Sequence, residues 1–189
     1  MASAAPTAGL PILYNQIEPI SSQAHGTAKV RGLQTLPQLA QLHAVPVTVD
    51  EFAAAQRFYP IIFSVGADPV PLALMGLNEG VNTFVDADGK PLSGEFYMPA
   101  YLRRYPFLLA KLRPDSDELS LCYDPTSGAI GDYEDGQPLF NGDQPSDTTN
   151  AVLQFCEQFE QAGHRTGAFM QELTKSGLLM DGEVAIQPE

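Results

Sequence analysis

The residues best suited to recognition chemistry lie in one segment, Tyr97-Met98-Pro99-Ala100-Tyr101-Leu102-Arg103-Arg104-Tyr105-Pro106-Phe107. It packs three tyrosines and two arginines into eleven positions. A guanidinium offers a planar fork of donors, and a tyrosine an apolar ring with a polar tip, so the cluster suits an anion or a peptide. With Lys111 and Arg113, it holds four of the ten basic residues between positions 103 and 113. Tyr97, Tyr101, Arg103 and Arg104 are the candidate binding residues. In the competing reading, the arginines pair internally with surplus carboxylates and act as a clamp. Neighbours on a helix point about 100° apart, so Arg103 and Arg104 must do different things. One is expected to face inward, toward a carboxylate or the last carbonyls of its own helix. The other is expected to be exposed beside Tyr97 or Tyr101 and to touch a partner.

Catalytic chemistry finds no comparable constellation. The chain has no G-x-x-x-x-G-K-[ST] phosphate loop, no G-x-G-x-x-G turn and no G-x-S-x-G elbow. Its three histidines, His25, His43 and His164, form no H-x-D, H-x-E or H-x-x-x-H pair and read as structural or solvated. Asp86-Ala87-Asp88-Gly89 resembles the start of a calcium loop but lacks the later ligands. A hairpin turn, with Gly89 accepting positive φ, explains it better. The acidic string Asp132-Tyr133-Glu134-Asp135 reads as a solvated loop. No catalytic residue, metal ligand or cofactor is expected, and the balance leans away from an enzyme.

Composition narrows the partners. The 189 residues include 44% hydrophobic types, 16 Gly and 16 Pro, enough for a core interrupted by many turns. A net charge of −13 and a pI near 4.4 disfavour nucleic acid and anionic membrane surfaces. Cys122 and Cys156 sit in apolar runs and are expected to be buried thiols rather than a disulfide. No Lys or Arg precedes Lys29, no signal-peptide pattern opens the chain, and no run approaches the roughly 20 apolar residues that span a bilayer. A cytoplasmic protein without membrane insertion is the expectation.

These residues need a scaffold, and the middle of the chain spells one out twice. Arg57-Phe58-Tyr59-Pro60 echoes Arg103-Arg104-Tyr105-Pro106, and Asp88-Gly89 echoes Asp135-Gly136, at nearly constant offset. The expectation is two duplicated helix–strand–turn–strand units, residues 48–92 and 96–139, related by an approximate two-fold axis. In the first, Thr48 and Glu51 form a capping box, a helix follows and Pro60 stops it. Strands are expected over 61–65, 70–77 and 82–85. In the second, a short helix over 100–105 stops at Pro106, and strands cover 107–112 and 119–123. Residues 1–43 read as a partly extended tail with 10–14 docking on the body; residues 44–189 form a single domain. After a capping cluster over 146–149, Val152, Phe155, Cys156 and Phe159 make one helical stripe. Gly163 is expected to break that helix, and Gly177 to end a second one carrying Phe169, Met170 and Leu173. The fold class is α+β with a largely antiparallel sheet and C-terminal helices.

The block around YMPAYLRRYPFLL, preceded by PLALMGLNEGVNTFVDADG and followed by LSLCYD and GQPLFNGD, resembles the bacterial SapC family over residues 43–179. The resemblance implies a link to surface-layer biogenesis, and to neighbours of TonB-dependent receptors, flavin halogenases and cupin-like hydroxylases. It brings no catalytic residues with it. Together with the missing catalytic motifs, it points to a non-catalytic accessory or binding protein with a protein or peptide partner. The alternative is an enzyme, or a small enzyme subunit, acting on a peptide or protein. A structural surface-layer component is the second alternative, against which the absent export signal and low Thr/Ser content speak.

Overall fold

The computed structural model describes residues 9–113, 115–180 and 182. The fold is α+β, built from small antiparallel sheets and one long C-terminal helix. In chain order come β1 (Glu18–Pro19), α1 (Ser22–His25), β2 (Lys29–Val30), β3 (Ala44–Pro46), α2 (Phe52–Ala55), β4 (Ile61–Phe63) and β5 (Pro71–Leu74). Then follow α3 (Ala100–Arg103), β6 (Phe107–Lys111), β7 (Leu119–Tyr123), β8 (Ile130–Gly131), β9 (Gln137–Pro138), β10 (Phe140–Asn141), β11 (Gln144–Pro145) and α4 (Asp147–Lys175).

Pro60 and Pro106 each lead into the first strand of a hairpin, but they do not stop the helices as expected: α2 ends at Ala55 and α3 at Arg103, and turns separate each from its proline. The hairpins sit in separate three-stranded sheets, ordered β3-β5-β4 and β1-β7-β6. Their Tyr–Pro steps differ, since only Tyr105–Pro106 is cis among the described residues. The expected strand over 82–85 does not form. Asn82 turns its side chain onto Leu39 O and Phe84 N, and a single bridge pairs Val85 with Pro91. The Asp86–Gly89 turn does form: the Asp86 carboxylate accepts from the N–H groups of Asp88 and Lys90, each at 2.9 Å. Gly89 takes φ +79° there, and a Cβ would stand 2.1 Å from Leu36 O.

The segment read as a tail is woven into the body. β1 adds to β7, and β2 is the centre of a third sheet, between β8 and β9. Tyr14 and Leu39 are core residues, and Tyr14 donates to Phe107 O at 2.7 Å. The expected helix break at Gly163 is also absent: α4 runs unbroken for 29 residues through Gly163 and Gly167. Its packing against β6 and the Val49–Glu51 turn outweighs the roughly 1 kcal/mol that each helical glycine costs relative to alanine. Ser146 caps the helix as expected, accepting from Thr149 N, and Gly177 follows its end with φ +66°.

The largest core cluster gathers Val45, Val47, Ala55, Tyr59, Met75, Tyr101 and Leu102. A second holds Tyr14, Tyr105, Leu108 and Cys122. Cys156 packs with Phe107 and Tyr123 under α4. Both cysteines are free and buried, and burial pushes each thiol up to about 11. Neither should react with a thiol reagent in the native state, whereas both should react once denaturant is added. Rapid labelling of either cysteine without unfolding would contradict this packing.

Candidate functional site

α3 and the turn after it position the four candidate residues, and a buried carboxylate holds that unit in place. Glu51, 6% exposed, accepts from Thr48 N and Thr48 Oγ1 through one oxygen, at 3.0 and 2.9 Å. Its other oxygen accepts from the Tyr97 hydroxyl at 2.9 Å and from Ala100 N at 2.6 Å. The capping box expected from the sequence therefore also caps α3. Tyr97 is fixed a second time, because its carbonyl accepts from the Tyr59 hydroxyl at 2.7 Å. Tyr101 is buried and donates to Ile12 O at 3.1 Å. These two tyrosines build the scaffold with their hydroxyls; the Tyr101 ring is buried and the Tyr97 ring half-buried.

The two arginines divide as their spacing requires. Arg104 is the inward one, 8% exposed, with its guanidinium boxed by aromatic rings. The ring centroids of Phe159, Tyr101 and Tyr14 lie 4.4, 4.8 and 5.8 Å from its Cζ. Its carboxylate partner, Glu160, stands 3.6 Å away and is 37% exposed, and Arg104 Nε is buried without a partner among the described residues. The inward arginine thus meets a carboxylate as expected, but that acid is part-exposed at the rim of an aromatic box rather than buried. Substitution of Arg104 by alanine should destabilise by about 2–4 kcal/mol, through lost packing rather than a stranded carboxylate. Methionine should restore most of this, because it fills the box and abolishes the orphaned donor. Thermal melting of both variants checks the account; a methionine variant as unstable as alanine would refute it.

Arg103 is exposed, its Cζ 5.2 Å from the Phe155 centroid. Lys111 and Arg113, expected to join the same cluster, lie instead on the β6–β7 hairpin. There they meet Asp117 at 2.7 Å and Glu118 at 3.9 Å. In their place stands Arg31, which stacks on Tyr133 with its Cζ 3.8 Å from the ring centroid. Arg31, Arg103 and Arg104 all line one groove of about 600 Å³. Its walls are residues 30–33, the α3–β6 turn and the first turns of α4, and Val152 and Phe155 give it an apolar side. Among the described residues, no acidic one lines it.

The sequence offered no sign of Arg31 or Phe155 as groove residues, since each lies far along the chain from α3. It did carry a signal for Asp124, the other buried carboxylate: Asp-Pro-Thr-Ser is a turn-capping pattern. Asp124 accepts from Thr126 N and Oγ1 through one oxygen and from Asn15 N through the other. The histidines hold structural or surface places. His25 meets the Tyr123 hydroxyl at 3.1 Å, and His164 lies exposed on α4 rather than between two helices. Among the described residues, no three His, Cys, Asp or Glu side chains gather as metal ligands. Nor is any described helix long and apolar enough to cross a membrane.

The model of the SapC family matches residues 20–189. The chain belongs to the SapC family. Neither a curated protein nor a solved structure matches it. The SapC match takes in β2, α3, the Tyr-Pro turn and the whole of α4, so every wall of the groove falls inside it.

The tyrosines of this SapC chain give it a pH signature. Burial, joined by the Glu51 hydrogen bond, pushes Tyr97 up to about 12; burial, with the nearby Asp124, does the same for Tyr105. Burial also raises Tyr14, Tyr59, Tyr101 and Tyr123. An unfolded tyrosine loses its proton near pH 10.0. Above that pH the unfolded chain has released protons that the native state still holds, so stability should fall as pH rises from about 10 toward 12. Tyrosinate absorbance should therefore rise together with loss of circular dichroism. Complete ionisation near pH 10 with the fold intact would contradict the burial.

Proposed function

We propose that this SapC protein is a soluble, non-catalytic accessory protein of the cytoplasm that binds a protein or peptide partner. Its service would be to cell-envelope or surface-layer biogenesis, or to peptide modification. The observation that supports it is the groove under Arg103: three of the chain's ten basic residues line it, and no acidic residue does among the described residues. In a chain of net charge −13, such a concentration of one sign marks a place that attracts what the rest of the surface repels. Arg103 is the contact residue in this reading; Arg104 sets the positive floor, while Tyr97 and Tyr101 position α3. The same reading takes residues 48–92 and 96–139 as duplicated units, which superposition about a two-fold axis tests.

The decisive experiment is affinity capture from native extract with mass spectrometry, run in parallel on wild type and Arg103→Glu. A partner retained by the wild type and lost by the variant supports the reading, provided both melt alike. Arg103→Ala should itself shift stability by under about 1 kcal/mol, as for most exposed charges. A metal or flavin bound to the purified protein, or turnover of a peptide, would overturn the non-catalytic reading.

A further inference from the structure

The groove is built for a particular chemistry of partner. Among the described residues, neither Arg31 nor Arg103 forms an ion pair, although acidic residues outnumber basic ones 23 to 10. Both guanidinium groups instead lie against aromatic rings, Tyr133 and Phe155, which orient them without neutralising them. Beneath them Arg104 adds a third positive charge, with its Nε buried and unpartnered. Val152 and Phe155 supply an apolar surface directly alongside.

One wall is also main chain. Residues 31–35 belong to no strand, and the N–H groups of Gly32, Leu33, Gln34 and Thr35 meet no acceptor among the described residues. A second depression, of about 650 Å³, shares Val30, Arg31, Gly32, Leu33 and Gln137 with the first, but Asp135 lines it and disfavours an acidic group there. An extended chain lying in the first groove would find backbone donors of the strap along its edge.

We propose that the groove takes a short, extended, acidic segment of a partner protein. One or two Asp or Glu carboxylates would sit at Arg31 and Arg103, with a flanking apolar side chain against Phe155 and Val152. The inference rests on the accessory reading above and specifies its ligand. The segment must be short in its charge, because a long polyanion would run out of the groove onto a surface of net charge −13. That argues for a protein segment over nucleic acid.

Selection of random displayed peptides on the full-length wild-type protein tests this. Recovered peptides should be enriched in Asp or Glu next to Leu, Phe or Tyr. A synthetic copy should bind more weakly as salt increases. Its Gln-for-Glu or Asn-for-Asp version, and the Arg31→Glu and Arg103→Glu variants, should each lose about tenfold or more in affinity. Circular dichroism and melting of the variants confirm that the fold is kept. Failure to enrich acidic peptides, or equal binding to a double variant carrying both Arg31→Glu and Arg103→Glu, overturns the proposal. A native partner captured equally by wild type and double variant would sink the groove while leaving the accessory reading intact. No native partner at all, with acidic peptides still binding through the arginines, would sink the accessory reading and leave the groove.

Discussion

Glu51→Ala should destabilise the protein by about 3–5 kcal/mol, the range for removing one side of a buried charged network. The carboxylate accepts four hydrogen bonds, from Thr48 N, Thr48 Oγ1, Tyr97 Oη and Ala100 N. Alanine would leave the Thr48 hydroxyl and two backbone N–H groups in the interior without an acceptor. It would also open a cavity where the 48–51 turn meets α3. Glu51→Gln separates geometry from charge. The amide keeps the volume but offers only one acceptor oxygen, so it should lose about 1–3 kcal/mol. Chemical denaturation of both variants reads these values, with an unchanged m-value as the check that the transition is still two-state. If alanine cost under about 1 kcal/mol, α3 would not depend on this carboxylate, and the positioning of Arg103 would need another cause.

Asp124→Ala is the second large effect, again about 3–5 kcal/mol. Asp124 is fully buried and ties two distant parts of the chain. One oxygen holds the Pro125–Ser127 turn through Thr126 N at 2.9 Å and Thr126 Oγ1 at 2.7 Å. The other accepts from Asn15 N at 2.8 Å, with the Tyr105 hydroxyl at 3.4 Å as a weaker contact. The loss should show locally as well as globally. Amide exchange at Asn15 should accelerate more than at Val45 in the other core, because the N-terminal segment loses an anchor there. Uniform acceleration across both would mean that Asp124 serves the fold as a whole. Asp124→Asn tests the charge alone: its amide nitrogen would face a donor, so one of the two ends must come loose.

What the sequence revealed and what it hid divide along the chain distance of the interactions. The Thr48–Glu51 box, the Ser146 cap and the Asp86 turn each close within four residues, and short patterns announce them. The second role of Glu51 closes over 49 positions to Ala100, and nothing near either residue signals it. The angular argument separates Arg103 from Arg104, yet which of them turns inward is decided by Phe159, on a helix that begins 43 residues later than Arg104. β1 and β2 are two residues long, too short for an alternation to register, so their segment looks like a tail. Gly163 misleads for a related reason. Its intrinsic penalty is local, whereas the contacts that carry α4 across it come from the turn at 49–51, as in the bond from Val49 N to Thr166 Oγ1 at 2.9 Å.

The placement of β2 has a consequence for how the chain must be made. It is the middle strand of its sheet, with Lys29 opposite both Gly131 and Pro138. During translation it leaves the ribosome about a hundred residues before either neighbour, a wait of roughly 5–20 s at ordinary elongation rates. For that interval β2 has neither neighbour to pair with, and its sheet does not close until residue 138 has emerged. Such a chain depends on closing long loops and folds late, so it spends its synthesis exposed to chaperones and proteases. Fragments ending before residue 130 should be degraded in the cell.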